Sequence, residues 1–256
     1  MAIIFGRGSF AKLAPESTYG STGAYHTNSI RIIDTTLQTV QQRDGRSHLT
    51  TSDGAVRKGF FDTFIESGGN LTVPVYYEGS TMLLKAMIGS ITTSGGGPNY
   101  THKLKSSTTD LDSFSIGLQR GSDANGYELF KGCMVSSGTL SLNAGEEMRL
   151  SLDLIAQDSA TRTGKPTPTY NSTQKQIYHY EVTTELSFNS ITYRVRSFEL
   201  TVENSLERRN VLGSRLTLSP DVVDYRTITI SVEVDAETNA LYQAMIDGTE
   251  SPVLLK

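Results

Sequence analysis

The segment Thr227-Ile228-Thr229-Ile230-Ser231-Val232-Glu233-Val234-Asp235 alternates without a break. Successive side chains of an extended chain point to opposite faces. Ile228, Ile230, Val232 and Val234 therefore fall on one side, and Thr227, Thr229, Ser231, Glu233 and Asp235 on the other. Two more stretches repeat the pattern. In 198–203, Phe198, Leu200 and Val202 oppose Glu199, Thr201 and Glu203. In 147–156, Met148, Leu150, Leu152 and Leu154 oppose Glu147, Arg149, Ser151 and Asp153. Strands of this kind put one face on a core and leave the other to water or a partner, as antiparallel sheets do. Shorter alternations occur at Phe114/Ile116/Leu118 and Leu140/Leu142. Residues 30–37, 71–77 and 178–188 also read as strands. Asn143-Ala144-Gly145-Glu146 predicts a hairpin turn between strands 134–142 and 147–156, with Gly145 supplying the positive φ.

Two short helices flank the strands. Ser80 or Thr81 caps one that ends at Gly89, with Met82, Leu83, Ala86 and Met87 on one side. Asp235 caps another that ends at Gly248, with Leu241, Ala244 and Met245 inward. Leu83-Leu84-Lys85-Ala86-Met87-Ile88-Gly89 echoes Leu241-Tyr242-Gln243-Ala244-Met245-Ile246-Asp247-Gly248, and each follows a strand. A duplication of strand, connection, strand and helix, roughly 28–90 and 191–248, is expected inside a single domain 1–256. Residues 38–69 and 157–176 are left as long polar connections. Loops of such length in a compact domain either do a job or are disordered. The first carries Phe60, Phe61, Phe64 and Ile65, which either dock on a neighbour or tuck back into the domain's own core.

Composition removes several function classes. Lys and Arg total 23 against 27 Asp and Glu, for a net charge of −4. The closest basic groupings are Arg194 with Arg196 and Arg208 with Arg209, too few for tight nucleic-acid binding. Cys133 is the only cysteine, so no intramolecular disulfide or multi-cysteine zinc site can form. No secretion signal and no membrane span are expected. His26, His48, His102 and His179 are scattered, with none paired at metal-ligand spacing. Gly6-Arg7-Gly8 lacks the Lys-Ser/Thr ending of a phosphate loop. Glu146-Glu147 and Glu199/Glu203 read as solvated carboxylates. No set of converging groups for catalysis is present, so the chain is read as a non-enzyme without cofactor.

Four stretches, in order, resemble a family of phage tail tube proteins. They are Pro15-Glu16-Ser17-Thr18-Tyr19-Gly20, Leu83–Gly89, Phe130–Leu142 and Ser197–Asn204, the last followed by Leu212-Gly213-Ser214 and the strand 225–235. The resemblance implies a mainly β fold, an antiparallel sandwich or barrel with one or two short flanking helices and a long inter-subunit loop. It implies a structural virion protein, with six subunits per ring and rings stacked into a tail tube. Inner strands of all subunits would join into one barrel. The lumen would hold a tape measure protein before infection and pass DNA during ejection, without specific binding. A tail terminator and distal tail or baseplate proteins would cap the tube, assembly taking place in the host bacterial cytoplasm.

On that reading Glu199, Thr201, Glu203, Thr229, Ser231, Glu233 and Asp235 are candidates to face the lumen, where a polar, non-cationic wall lets DNA slide. The alternative for that face is the tube's wetted exterior. Arg43, Asp44, Arg46, Arg57, Phe60, Phe61 and Phe64 are candidates to contact the neighbouring subunit or ring. A tail terminator, the tube of a contractile injection device, and a carbohydrate-binding β-sandwich stand as rival readings.

Overall fold

The structure is a computed structural model, described over residues 9–21, 29–45, 60–77, 79–96, 99–106, 111–121, 126–161, 167–170, 175–181, 185–188, 191–235, 239–248 and 254–255. Strands β1 (Phe10–Pro15), β2 (Ile30–Arg31), β3 (Asp34–Thr35), β4 (Gln38–Gly45) and β5 (Phe60–Pro74) precede helix α1 (Thr81–Ile88). A hairpin of β6 (Gly89–Gly96) and β7 (Asn99–Ser106) follows. Next come β8 (Phe114–Gln119), β9 (Tyr127–Asn143), β10 (Arg149–Ala156) and β11 (Asp158–Thr161), then a 3-10 turn at His179–Glu181. The remaining strands are β12 (Glu185–Phe188), β13 (Ile191–Glu203), β14 (Leu206–Arg209), β15 (Leu218–Val222) and β16 (Thr227–Val234). Helix α2 (Ala240–Ile246) and β17 (Leu254–Leu255) complete the elements.

The long strand β9 serves two layers. Its first half pairs β8 and β11, and its second half pairs β10 and β13. Between the halves Gly132 takes φ +63, and the pairings with β8 and β10 slip register nearby. A positive φ costs glycine least, and a slipped register bends a strand. One layer therefore runs β2-β1-β8-β9-β11, the other β16-β13-β9-β10-β5, with β3 and β4 beyond β5. All strand pairs are antiparallel, and the sheets curl into a half-barrel with two short helices beside it.

The apolar faces of the layers meet. Phe114, Ile116, Leu118 and Phe130 pack with Leu71, Val73, Leu150, Leu152 and Val202 in one core. Each fully buried side chain of this size is worth about 1.5–3 kcal/mol. α1 adds Leu83, Ala86 and Met87, which the 3.6-residue period puts on one side. Gly138 lets the helix lie close: a Cβ there would stand 2.4 Å from Met87 Sδ. Asn204 fixes the helix end, donating to Met87 O at 3.1 Å and Val135 O at 2.9 Å.

β5 meets β3 at a tighter crossing. Gly69 has φ +136, and a Cβ on it would lie 2.6 Å from Thr36 O. Thr36 cannot retreat without losing its N–H bond to Asn70 O and its Oγ1 bond from Asn70 N, both 2.9 Å. Gly69→Ala is therefore expected to cost about 2–4 kcal/mol, read as a shift in the urea midpoint.

The alternating strands, the hairpin turn and α1 lie where the sequence puts them; Gly145 has φ +92 and Glu146 N donates to Asn143 O at 3.1 Å. Ser80 precedes α1 but its hydroxyl accepts from Tyr76 N at 2.9 Å instead of capping. Other expectations need correction. Residues 38–69 are not a structureless connection: 38–45 and 60–68 pair as β4 and β5. Residues 30–37 break into β2 and β3, because one pairs β1 and the other β5. Residues 178–188 hold a 3-10 turn before β12. In 157–176, β11 pairs β9 and Gln176 bridges Tyr76. The strand expected over 134–142 starts earlier, at Tyr127, so Cys133 lies inside β9. Asp235 does not cap α2 at the described N-terminus, Ala240; it pairs with Arg196 Nε at 2.5 Å. Ala244 is half-buried, whereas the side chains of Leu241 and Met245 lie outside the described residues.

Candidate functional site

The register of the second layer gathers the polar halves of several alternating strands onto one face. Across β16, β13 and β9 the matched rows are Ser231–Glu199–Ser141, Thr229–Thr201–Thr139 and Thr227–Glu203–Ser137. From β9 the rows continue through Arg149, Ser151 and Asp153 of β10 to Pro74, Thr72 and Asn70 of β5, where Asp34 of β3 meets Thr72. Six of the seven residues proposed for the lumen, Glu199, Thr201, Glu203, Thr229, Ser231 and Glu233, thus share a face. Asp235 lies past the last ladder pair and is turned towards Arg196.

Hydroxyls and amides stitch this face together. Thr139 and Thr201 hydroxyls lie 3.2 Å apart, Asn70 Nδ2 donates to Ser151 Oγ at 2.9 Å, and Ser197 Oγ donates to Glu233 Oε2 at 3.3 Å. Its charges are Asp34, Asp153, Glu199, Glu203 and Glu233 against Arg149, so the face is acidic. It is a hydroxyl-rich wall with excess negative charge. Such a wall repels a polyanion and has little positive charge to hold one.

The reverse side of β16 is apolar, with Val232 and Val234 half-buried and its first half exposed. Ile228 is 49% exposed and Ile230 60%, while Val202 of the adjacent strand is buried. β16 pairs only with β13 among the described residues, which leaves a row of backbone donors and acceptors open. An open edge beside exposed isoleucines is a surface ready for another chain.

The residues proposed for the inter-subunit loop divide. Phe60 is 73% exposed and Phe61 47%, whereas Phe64 is half-buried. Arg43 Nε pairs Asp62 Oδ1 at 3.0 Å, and Asp62 also meets Arg215 at 3.4 Å. Asp44 is exposed opposite Phe61. Arg46 and Arg57 lie outside the described residues, as do His26 and His48.

The Pro15–Gly20 motif carries a feature that the sequence did not disclose. Glu16 Oε1 accepts from Ser115 Oγ at 2.5 Å and Gly132 N at 2.8 Å; Oε2 accepts from Gly20 N at 2.9 Å and Ser113 Oγ at 2.8 Å. One carboxylate so ties the segment after β1 to β8 and to the kink in β9. Tyr19 packs beside Gly132, and burial raises its pKa. Burial likewise pushes the Cys133 thiol well above the usual range, which keeps it an unreactive hydrophobe.

His102 bonds Thr93 Oγ1 at 2.9 Å and His179 stands edge-on to Tyr180. Among the described residues no three His, Cys, Asp or Glu side chains gather as a metal site, and no helix is long and apolar enough to cross a membrane. A search of curated proteins finds no match to the chain. A family model described as "Phage tail tube protein" matches residues 6–256, almost the full length. The acidic hydroxyl face, the open edge and that match converge: the chain belongs to the phage tail tube protein family, structural proteins of the virion tail that assemble into a tube.

Proposed function

We propose that this chain is the repeating subunit of the tail tube, six copies closing into a ring and the rings stacking. The polar face of β16, β13, β9, β10 and β5 lines the lumen. It encloses the tape measure protein before infection and passes DNA during ejection. One observation carries this reading: an acidic, hydroxyl-rich face runs across five strands and ends at an edge that is unpaired among the described residues. Head-to-tail pairing of such an edge closes a ring, and the two ring ends allow open stacking. Closure also covers Ile228 and Ile230. Tail terminator and distal tail or baseplate proteins then meet the two ends of the polymer.

The β4–β5 hairpin reaches the neighbouring copy through Phe60 and Phe61. Exposed aromatic rings of this size dominate interface energetics when buried. Phe60→Ser with Phe61→Ser is expected to leave a folded subunit that sediments as monomer or single ring. Tubes of wild-type length from that variant would exclude the contact. Negative-stain microscopy of the purified wild-type chain tests the function itself: rings or tubes with a central hole are expected, and solitary particles at high concentration would refute the reading.

A further inference from the structure

The β6–β7 hairpin has no role in the lumen face or the open edge. It forms a sheet of its own, paired with no other strand among the described residues. Its root is fixed: Arg226 Nη1 donates to Ile88 O at 2.7 Å and to Ser106 Oγ at 2.8 Å. Beyond the root, Thr92–Gly96 and Tyr100–Lys103 are all exposed. Each strand has eight residues. At about 3.3 Å per residue the arm is roughly 26 Å long, against about 10 Å between packed sheets. An isolated two-stranded hairpin is marginally stable in water, so an arm of this length calls for a surface to lie on.

The register sorts its side chains. Ile91 and Leu104 share one face and are half-buried at the root, where the hairpin packs on α1. Lys103 and Lys105 point to the other face, and both are exposed. The hairpin holds these two lysines and no carboxylate in a chain of net charge −4, so the remainder carries −6. The arm is rooted at the end of the five-stranded sheet where Thr227, Glu203 and Ser137 align. At the opposite end, the turn after Asn143 presents Glu146, exposed and in no ion pair among the described residues; its carboxylate accepts from Asn143 Nδ2 at 3.1 Å. Stacked head-to-tail subunits bring opposite ends together.

We propose that the β6–β7 hairpin is a basic docking arm that lies on the acidic 143–147 turn of a second copy in the adjoining ring, with Lys103 and Lys105 facing Glu146. This deepens the tube reading and rests on it. The contact is electrostatic and exposed, so added salt weakens it.

The test is charge reversal, read by sedimentation of polymer and by circular dichroism. Lys103→Glu with Lys105→Glu is expected to stay folded and to yield at least ten-fold less polymer than wild type. Glu146→Lys alone is expected to show a similar loss, and all three changes together to restore polymer to within about two-fold. Should the reversed arm fail to fold, Lys103→Gln with Lys105→Gln replaces it, with a several-fold loss expected. Wild-type polymer yield from either arm variant, or a loss that Glu146→Lys does not relieve in the reversed arm, overturns the docking arm and leaves the tube reading standing. A wild-type chain that never polymerises overturns both.

Discussion

Glu16→Ala is expected to lose about 4 kcal/mol of folding stability, a large share of the 5–15 kcal/mol typical of a domain. Its carboxylate takes hydrogen bonds from two serine hydroxyls and two backbone N–H groups. A hydrogen bond to a charged group contributes roughly 1.5–3 kcal/mol, and donors left without an acceptor add a desolvation penalty. Four such bonds sum to more than the expected loss. The site is only half-buried, however, so water can enter and satisfy part of what alanine abandons. The backbone donors Gly20 N and Gly132 N matter most, because they hold the segment after β1 against the kink of β9. Glu16→Gln keeps one good acceptor oxygen and is expected to lose about half as much. Urea unfolding of the monomer measures both. A Glu16→Ala midpoint within about 1 kcal/mol of wild type would mean that the four bonds are not what holds this corner.

Glu199→Lys with Glu203→Lys and Glu233→Lys is expected to convert a DNA-indifferent surface into a DNA-binding one. These three positions lie on one face, with Ser231, Thr229 and Thr227 beside them, and no lysine occupies that face. Reversal moves the charge of each subunit by six, from −4 to +2. Each phosphate that a lysine neutralises lowers the logarithm of affinity by about 0.9 per tenfold rise in salt. Binding of short duplex DNA should therefore appear at low salt and vanish steeply as salt rises. If the face lines the lumen, virions carrying the variant tube assemble and adsorb but eject DNA at least ten-fold more slowly. Normal ejection from tubes with all three lysines would place the face outside the channel.

How much of this was legible in the sequence depends on burial asymmetry. β10, β13 and β16 each have one wet and one apolar side, so period-two alternation exposed them and sorted Glu199, Thr201 and Glu203 from Phe198, Leu200 and Val202. Gly145 marked its turn because only a positive φ fits there. β4, β6 and β7 escaped notice for the opposite reason. Gln38–Gly45 is wet on both sides along most of its length, and Gly89–Gly96 is Ser, Thr and Gly beyond its root. With no dry face, a strand has no alternation to read. Glu16 was missed because three of its four donors come from residues about a hundred positions away, at 113, 115 and 132, which no local window connects. The open edge of β16 was equally invisible: alternation reports which way Ile228 and Ile230 point, not whether anything covers them. Their exposure is the structure's own contribution, and it fits a chain that is finished by its neighbours.

A helical reconstruction of the assembled polymer by electron cryomicroscopy addresses the arrangement most directly. The expected density puts Glu199, Thr201, Glu203 and Ser231 at the smallest radius around a hollow axis, with the outer backbone edge of β16 hydrogen-bonded to a strand of the adjacent copy and Ile228 and Ile230 buried. A map with those carboxylates on the outer circumference, or with the β16 edge still bare, would contradict it.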